Sequence, residues 1–179
     1  RLAPPGELRA AERAGSDLEP AEWRIPAGRM KMDDPHIVPL ARQTLAIRHD
    51  LHKVTGPGKY LFPSARTDER PMSDNTVNAA LRRLGYSKEE LTGHGFRSMA
   101  STRLNEMNIW SADAIERQLA HSPRNKVRAT YNYAQFLPER RIMTPVWADY
   151  LDGLRQKKIL TPAELLNPEQ IAELQQSFM

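Results

Sequence analysis

The stretch from His94 to Tyr131 opens with His94-Gly95-Phe96-Arg97, carries Leu119-Ala120-His121 near its end, and places Tyr131 ten residues after the second histidine. Two imidazoles, a guanidinium and a phenol therefore fall within one short span. Arg124, Lys126 and Arg128 lie between His121 and Tyr131, with no acidic residue among them. A guanidinium forks onto phosphate oxygens, an imidazole can donate to the same group, and a phenol can act as a nucleophile. The set suits covalent attack on a phosphodiester.

Local pattern places the two imidazoles and the guanidinium on two helices, and Tyr131 on a short element over 125–134. His94 and Arg97 are three apart and project together at the start of a helix whose Ala100, Leu104 and Met107 share a face. Free backbone N–H groups make helix starts good anion sites. Ser111 caps the next helix, with Ile115 and Leu119 facing inward and His121 at its end. Each feature alone has a bland reading. A His-x-x-Arg is common and mostly structural, a histidine at a helix C-terminus often only complements the dipole, and a buried tyrosine is usually core. Tyr133 competes with Tyr131 on residue type.

Outward from this stretch, 179 residues are enough for one domain with its own core and a small appendage. Apolar content of 40% and charged content of 27% are ordinary for a globular protein. No run is long and apolar enough to span a membrane, the first residues lack a secretory pattern, and there is no cysteine, so the expected location is the cytoplasm. The net charge of +4 is a weak hint of a polyanionic partner. Its distribution says more: residues 1–22 lean acidic and 117–141 lean basic, so one end of the fold is expected to face phosphates.

The elements predict a mainly α protein with a small antiparallel sheet. Pro4-Pro5-Gly6-Glu7-Leu8 reads as a helix start with nothing like a natural amino terminus before it, the expectation for a piece of a longer protein. Residues 16–18, 22–27 and 36–40 read as short strands. Prolines bound the last two, as for sheet edges, and a hairpin over 27–34 carries Lys31 near its tip. On a predicted helix over 43–54, Ile47, Leu51 and Val54 form one stripe. His49 and His52 on that helix lack the further ligands of a metal site, so no metal is expected. A loop over 55–70 holds a small buried Tyr60-Leu61-Phe62-Pro63 segment. Ser73 or Asp74 caps a helix with Val77, Ala80, Leu81 and Leu84 inward and Arg82 and Arg83 turned to solvent or to a DNA backbone; Gly85 ends it. Ile142, Val146, Trp147, Tyr150 and Leu154 predict the buried stripe of a long helix over 138–154. Thr161-Pro162-Ala163-Glu164 and Asn167-Pro168-Glu169-Gln170 each start a short helix. The second presents Ile171, Leu174 and Phe178, which pack either on this domain or on a neighbouring protomer.

His-x-x-Arg, then Leu-x-His, then tyrosine ten residues on resembles the catalytic domain of tyrosine recombinases, the phage-integrase family. Arg29-Met30-Lys31-Met32 ahead of His36-Ile37-Val38-Pro39-Leu40 matches that family's lysine-bearing hairpin. The likeness is nearest to integrases of satellite phages and genomic islands, and it covers roughly residues 1–155. It implies that Tyr131, favoured over Tyr133 by the family's His-to-Tyr interval, attacks the scissile phosphate to give a 3′-phosphotyrosyl link. Lys31 would protonate the leaving 5′-oxygen, while Arg97, His94 and His121 hold the non-bridging oxygens. Arg124, Lys126, Arg128, Arg82 and Arg83 are candidates for DNA contact. The partners implied are double-stranded attachment-site DNA and three further copies of the chain on that DNA, with a monomer off it. No cofactor or metal is implied. The catalytic domain would occupy 1–158, with 159–179 a helical tail.

One match fails. The family's first catalytic arginine directly precedes Pro-Gly-Glu-Leu, and Pro4 stands at that position, while Glu7 matches the carboxylate that usually follows. Loss of one guanidinium at such a transition state typically costs on the order of a hundredfold in rate. The alternative function is therefore a recombinase-derived DNA-binding domain that cuts weakly or not at all.

Overall fold

Trp23 and Ile25 alternate with polar neighbours along a short β-branched and aromatic run, and such a run buries one face of a strand. The computed structural model describes residues 5–17, 21–30, 35–120 and 136–177. In it Ser16–Asp17 (β1), Glu22–Ile25 (β2) and His36–Pro39 (β3) form an antiparallel sheet in the order β1-β2-β3. The register sets Trp23 opposite Val38 and Ile25 opposite His36. The expectation that β2 lies at an edge is therefore corrected: it is the central strand. Pro26 follows β2 rather than interrupting it, so no ladder N–H is lost. Trp23, Ile25 and Val38 pack with Ala11 and Leu61 into a small core. The helix Pro5–Arg9 (α1) adds Leu8 to its edge.

The helix Arg42–Thr55 (α2) forms where periodicity predicts one, but with a different inner face. Ile47 and Val54 are 67% and 84% exposed, and no residue of α2 is fully buried. Of the expected stripe only Leu51 packs against the sheet core. The inward row is Leu45, Arg48 and Leu51, because α2 meets the rest of the fold over a narrow strip. Within the expected loop, Leu61 is buried, but Pro63–Ser64 (β4) and Thr67–Pro71 (β5) pair as a hairpin that the sequence pattern does not announce. Thr67-Asp68-Glu69-Arg70-Pro71 has no apolar alternation to mark a strand.

The helix Thr76–Arg83 (α3) starts after Asn75, later than the expected caps Ser73 and Asp74; the Ser73 and Thr76 hydroxyls instead lie 2.9 Å apart. Of its expected face Leu81 is buried, whereas Ala80 is exposed and Leu84 is 74% exposed. Gly85 ends the helix at φ +95°, a left-handed conformation open to glycine at little cost.

Gly95–Glu106 (α4), Ala112–Gln118 (α5) and Leu137–Arg155 (α6) build the main core. Ala100 and Leu104 of α4, Ile115 of α5, Leu119 and the stripe Ile142, Met143, Val146, Trp147 and Tyr150 of α6 interlock there. Trp147 and Tyr150 stack at 5.6 Å between centroids. Leu154, expected on that stripe, is 40% exposed because the last turn of α6 runs past the core. Ser111 caps α5 as expected, its hydroxyl accepting from Ala114 N–H at 3.2 Å.

The helices Pro162–Leu165 (α7) and Pro168–Ser177 (α8) follow. Both carry reciprocal caps: Thr161 with Glu164, and Asn167 with Gln170, where Gln170 N–H donates to Asn167 Oδ1 at 2.8 Å and Asn167 N–H to Gln170 Oε1 at 3.0 Å. Leu174 is 5% exposed within the main core, so the tail folds back onto its own domain through α6. Ile171 remains 40% exposed, and Phe178 lies outside the described residues. Among the described residues, no helix is long and apolar enough to cross a membrane.

Candidate active site at the α4 start and the α5 end

A turn at Thr92-Gly93-His94 leads into α4. Gly93 N–H donates to Asn78 Oδ1 at 2.9 Å and Gly95 N–H to the Thr92 hydroxyl at 3.1 Å, which pins the helix start to α3. His94 occupies the N-cap position and is exposed. Arg97, in the first turn, is only 5% exposed. Its guanidinium donates through Nη2 to the carbonyl of Leu119. The two halves of the motif are thus joined directly: the arginine of His-x-x-Arg bonds the backbone two residues ahead of His121. The sequence places His94 and Arg97 side by side; the fold gives them different surroundings, one open to solvent and one held inside.

The α5 helix ends in an unusual conformation. Leu119 N–H bonds the Ile115 carbonyl and Ala120 N–H that of Arg117, and Ala120 then turns left-handed at φ +51°. On the far side of residues 121–135, Phe136 is left-handed as well, at φ +49°. Non-glycine residues in this region cost roughly 1–2 kcal/mol each and persist where packing on either side over-determines them. His121, Arg124, Lys126, Arg128, Tyr131 and Tyr133 fall between these two turns and lie outside the described residues, as do Lys31 and Pro4.

Both flanks of that segment are clamped by buried polar groups. Glu139, in the first turn of α6, accepts from Ser111 N–H and from the Ser111 hydroxyl at 2.7 Å, which fixes the start of α5. Arg140, fully buried, donates through Nε to Gln118 Oε1 at 2.8 Å and through Nη2 to the Ile37 carbonyl on β3. The His36 ring, 2% exposed, is hydrogen-bonded to the backbone of Gln118. Burial, and then the Arg140 and Arg117 guanidinia, push this imidazole down to about 3, so it is neutral at physiological pH. Burial and then Arg117 lower Arg140 to about 9, with Glu22 opposing them; it remains a cation. Arg141 donates to the buried Glu22 at 2.7 Å, tying α6 to β2 as well.

The two described candidates for DNA contact differ. Arg82 turns inward and donates to the Leu91 carbonyl, a correction to its expected outward direction. Arg83, in the last turn of α3, is exposed. His49 and His52 are exposed on α2, and among the described residues no group of three or more His, Cys, Asp or Glu gathers to hold a metal. Motif reading passes over His36, Gln118 and Arg140. A signal was available for one of them: Arg140 lies at i, i+3, i+7 spacing with Met143 and Trp147, so a charge sits on the apolar stripe of α6.

The model of the phage integrase family matches residues 5–137, most of the chain and all of the motif-bearing stretch. The chain belongs to the phage integrase family, the tyrosine recombinases. It is 47% identical over 167 residues to the integrase of Enterobacteria phage P4, covering 86% of this chain and 38% of that protein. It is 42% identical over 172 residues to the putative protein IntB of Escherichia coli K12, covering 88% of this chain and 43% of that protein. The prophage integrase IntA of the same strain is 43% identical over 145 residues, covering 81% and 35%. The chain therefore spans about two fifths of the length of the curated relatives it matches. No solved structure gives a significant match.

Proposed function

We propose that this chain is the catalytic domain of a site-specific recombinase that integrates or excises phage or genomic-island DNA. The observation that carries the reading is the bond from buried Arg97 to the Leu119 carbonyl, which brings the His94–Arg97 helix start against the chain leading into His121. A guanidinium held in place before substrate arrives needs little reorganisation to meet a phosphate, and fixed charge of this kind is worth most in a water-poor site.

In this reading Tyr131 attacks the scissile phosphorus. The new bond from its oxygen to phosphorus replaces the bond to the 5′-oxygen; the phenolic proton passes to solvent, and the 5′-oxygen leaves with a proton from Lys31. Arg97, His94 and His121 hold the non-bridging oxygens as charge builds on them. The phosphotyrosyl bond keeps the energy of the phosphodiester, so the reverse attack by a 5′-hydroxyl reseals the strand with no nucleotide or metal. Arg124, Lys126, Arg128 and exposed Arg83 bind the flanking backbone, with Arg82 supporting the Leu91 turn. Four protomers on two duplexes form the working unit in the cytoplasm, monomers assembling on attachment-site DNA. Residues 1–158 form the catalytic domain and 159–179 its helical tail.

Pro4 favours a second reading, a DNA-binding domain of recombinase descent that cuts weakly or not at all. Covalent trapping separates the two. The full-length protein is incubated with nicked attachment-site DNA and probed for a denaturant-resistant adduct, beside Tyr131→Phe and Pro4→Arg. An adduct lost in Tyr131→Phe is the expected result. An adduct only in Pro4→Arg would mean an intact scaffold disabled at one position. With DNA binding present, silence from all three would reject the site assignment.

A further inference from the structure

Three elements stand next in sequence to the residues proposed to act on DNA. The β3 strand begins five residues after Lys31, α5 ends three residues before His121, and the first turn of α6 follows Tyr131. One side chain touches all three. Arg140 rises from α6, bonds Gln118 Oε1 in the last turn of α5 at 2.8 Å, and bonds the Ile37 carbonyl of β3. It is completely buried, as is Gln118.

A core needing only bulk here would be better served by a hydrophobe, since a buried charge replaced by an apolar residue of similar volume is often neutral or stabilising. What an apolar side chain cannot supply is direction. Val38 of β3 belongs to the sheet core, not to the helical one, so apolar packing alone leaves the sheet free to slide along α6. Two hydrogen bonds from a planar fork set both the distance and the angle between β3 and α5. Arg97, bonded to Leu119, stands on the α5 side of that bracket.

We infer that Arg140 is a positioning residue: by tying β3, the strand that follows Lys31 in sequence, to the end of α5, it fixes that strand against the helix end that holds Arg97. This rests on the recombinase reading for its catalytic meaning. Its specific consequence is that loss of Arg140 harms leaving-group protonation more than phosphate holding.

The test uses the full-length protein with Arg140→Met, which keeps volume and removes the fork. Single-turnover cleavage is measured on attachment-site DNA with the natural 5′-oxygen at the scissile phosphate, and on the same DNA with sulfur in that bridging position. A thiolate leaves without a proton, so it bypasses the general acid. With melting temperature and DNA affinity near the wild type, cleavage of the oxygen substrate should fall by about a hundredfold and that of the sulfur substrate by less than about threefold. Amide exchange should rise together in residues 36–38 and 115–119. Equal loss on both substrates, no loss on either, or unchanged exchange would overturn the inference. Should Arg140→Met fail to fold, Gln118→Leu removes one arm of the bracket and is read by the same criteria. Absence of a Tyr131-dependent adduct from the wild type would instead reject the recombinase reading, and the exchange result would still decide whether Arg140 couples the two elements.

Discussion

The helical core and the sheet core are held by different kinds of force. Around α4, α5 and α6 the buried residues are large and apolar, with Leu104, Leu119 and Met143 at 0% exposure. Around β2 and β3 the apolar cluster is small, and the buried groups facing the helices are polar: Glu22 and His36. The two are joined by a polar seam, Glu22 to Arg141, the Ile37 carbonyl to Arg140, and His36 to Gln118. Gln43 of α2 extends it, donating to Asp149 at 2.6 Å and to Asp152 at 3.0 Å. Hydrophobic burial is non-directional and tolerates small shifts, whereas hydrogen bonds at a seam permit one arrangement. In this fold the helical core supplies stability and the seam supplies geometry, and Arg97 bonds Leu119 beside the Gln118 end of that seam.

This contrast is open to measurement. Leu104→Ala in the helical core should cost about 2–5 kcal/mol by chemical denaturation, and Val38→Ala in the sheet core roughly half as much. Equal costs would mean that the sheet core carries more of the stability than its size suggests.

The seam should respond to acid. The His36 imidazole is held near 3 by burial against an ordinary value of 6.5, so on acidification the unfolded chain takes up the proton first. The stability this group confers is complete above 6.5 and is lost as pH falls toward 3, by about 1.4 kcal/mol per pH unit. His36→Phe, compared with the wild type across that range, should flatten the slope; parallel curves would remove His36 from the seam.

Smaller effects test the clamps on α5. Ser111→Ala removes a helix cap and one of the donors to Glu139, and should lower stability by about 1–2 kcal/mol. Ala120→Gly should raise it by up to about 1 kcal/mol, because glycine adopts the left-handed turn without a Cβ clash. A destabilised Ala120→Gly would mean that the turn is not strained.

Much of this was legible from residues alone because it depends on near neighbours. Ser111 as a cap, Gly85 as a stop, the paired caps before α7 and α8, and the Ala100–Leu104 face of α4 each follow from contacts within one or two turns. The motif spacing from His94 to Tyr131 was equally local and led to the family. Other readings missed for a common reason. The α2 stripe was assigned by period, yet Ile47 and Val54 face solvent because exposure depends on which side another element covers. The polar β5 carries no alternation, and it forms because β4 lies beside it.

The sequence by itself determined the family, through the spacing of His94, Arg97 and Leu119, and the local helices that carry those residues. Only the tertiary structure decided how those pieces meet. Nothing in His94-Gly95-Phe96-Arg97 says that Arg97 will be buried against the Leu119 carbonyl, or that Arg140 will bridge Gln118 and Ile37. Those bonds join residues far apart in the chain, and they form because the packing of α6 brings β3 and α5 within reach of one guanidinium.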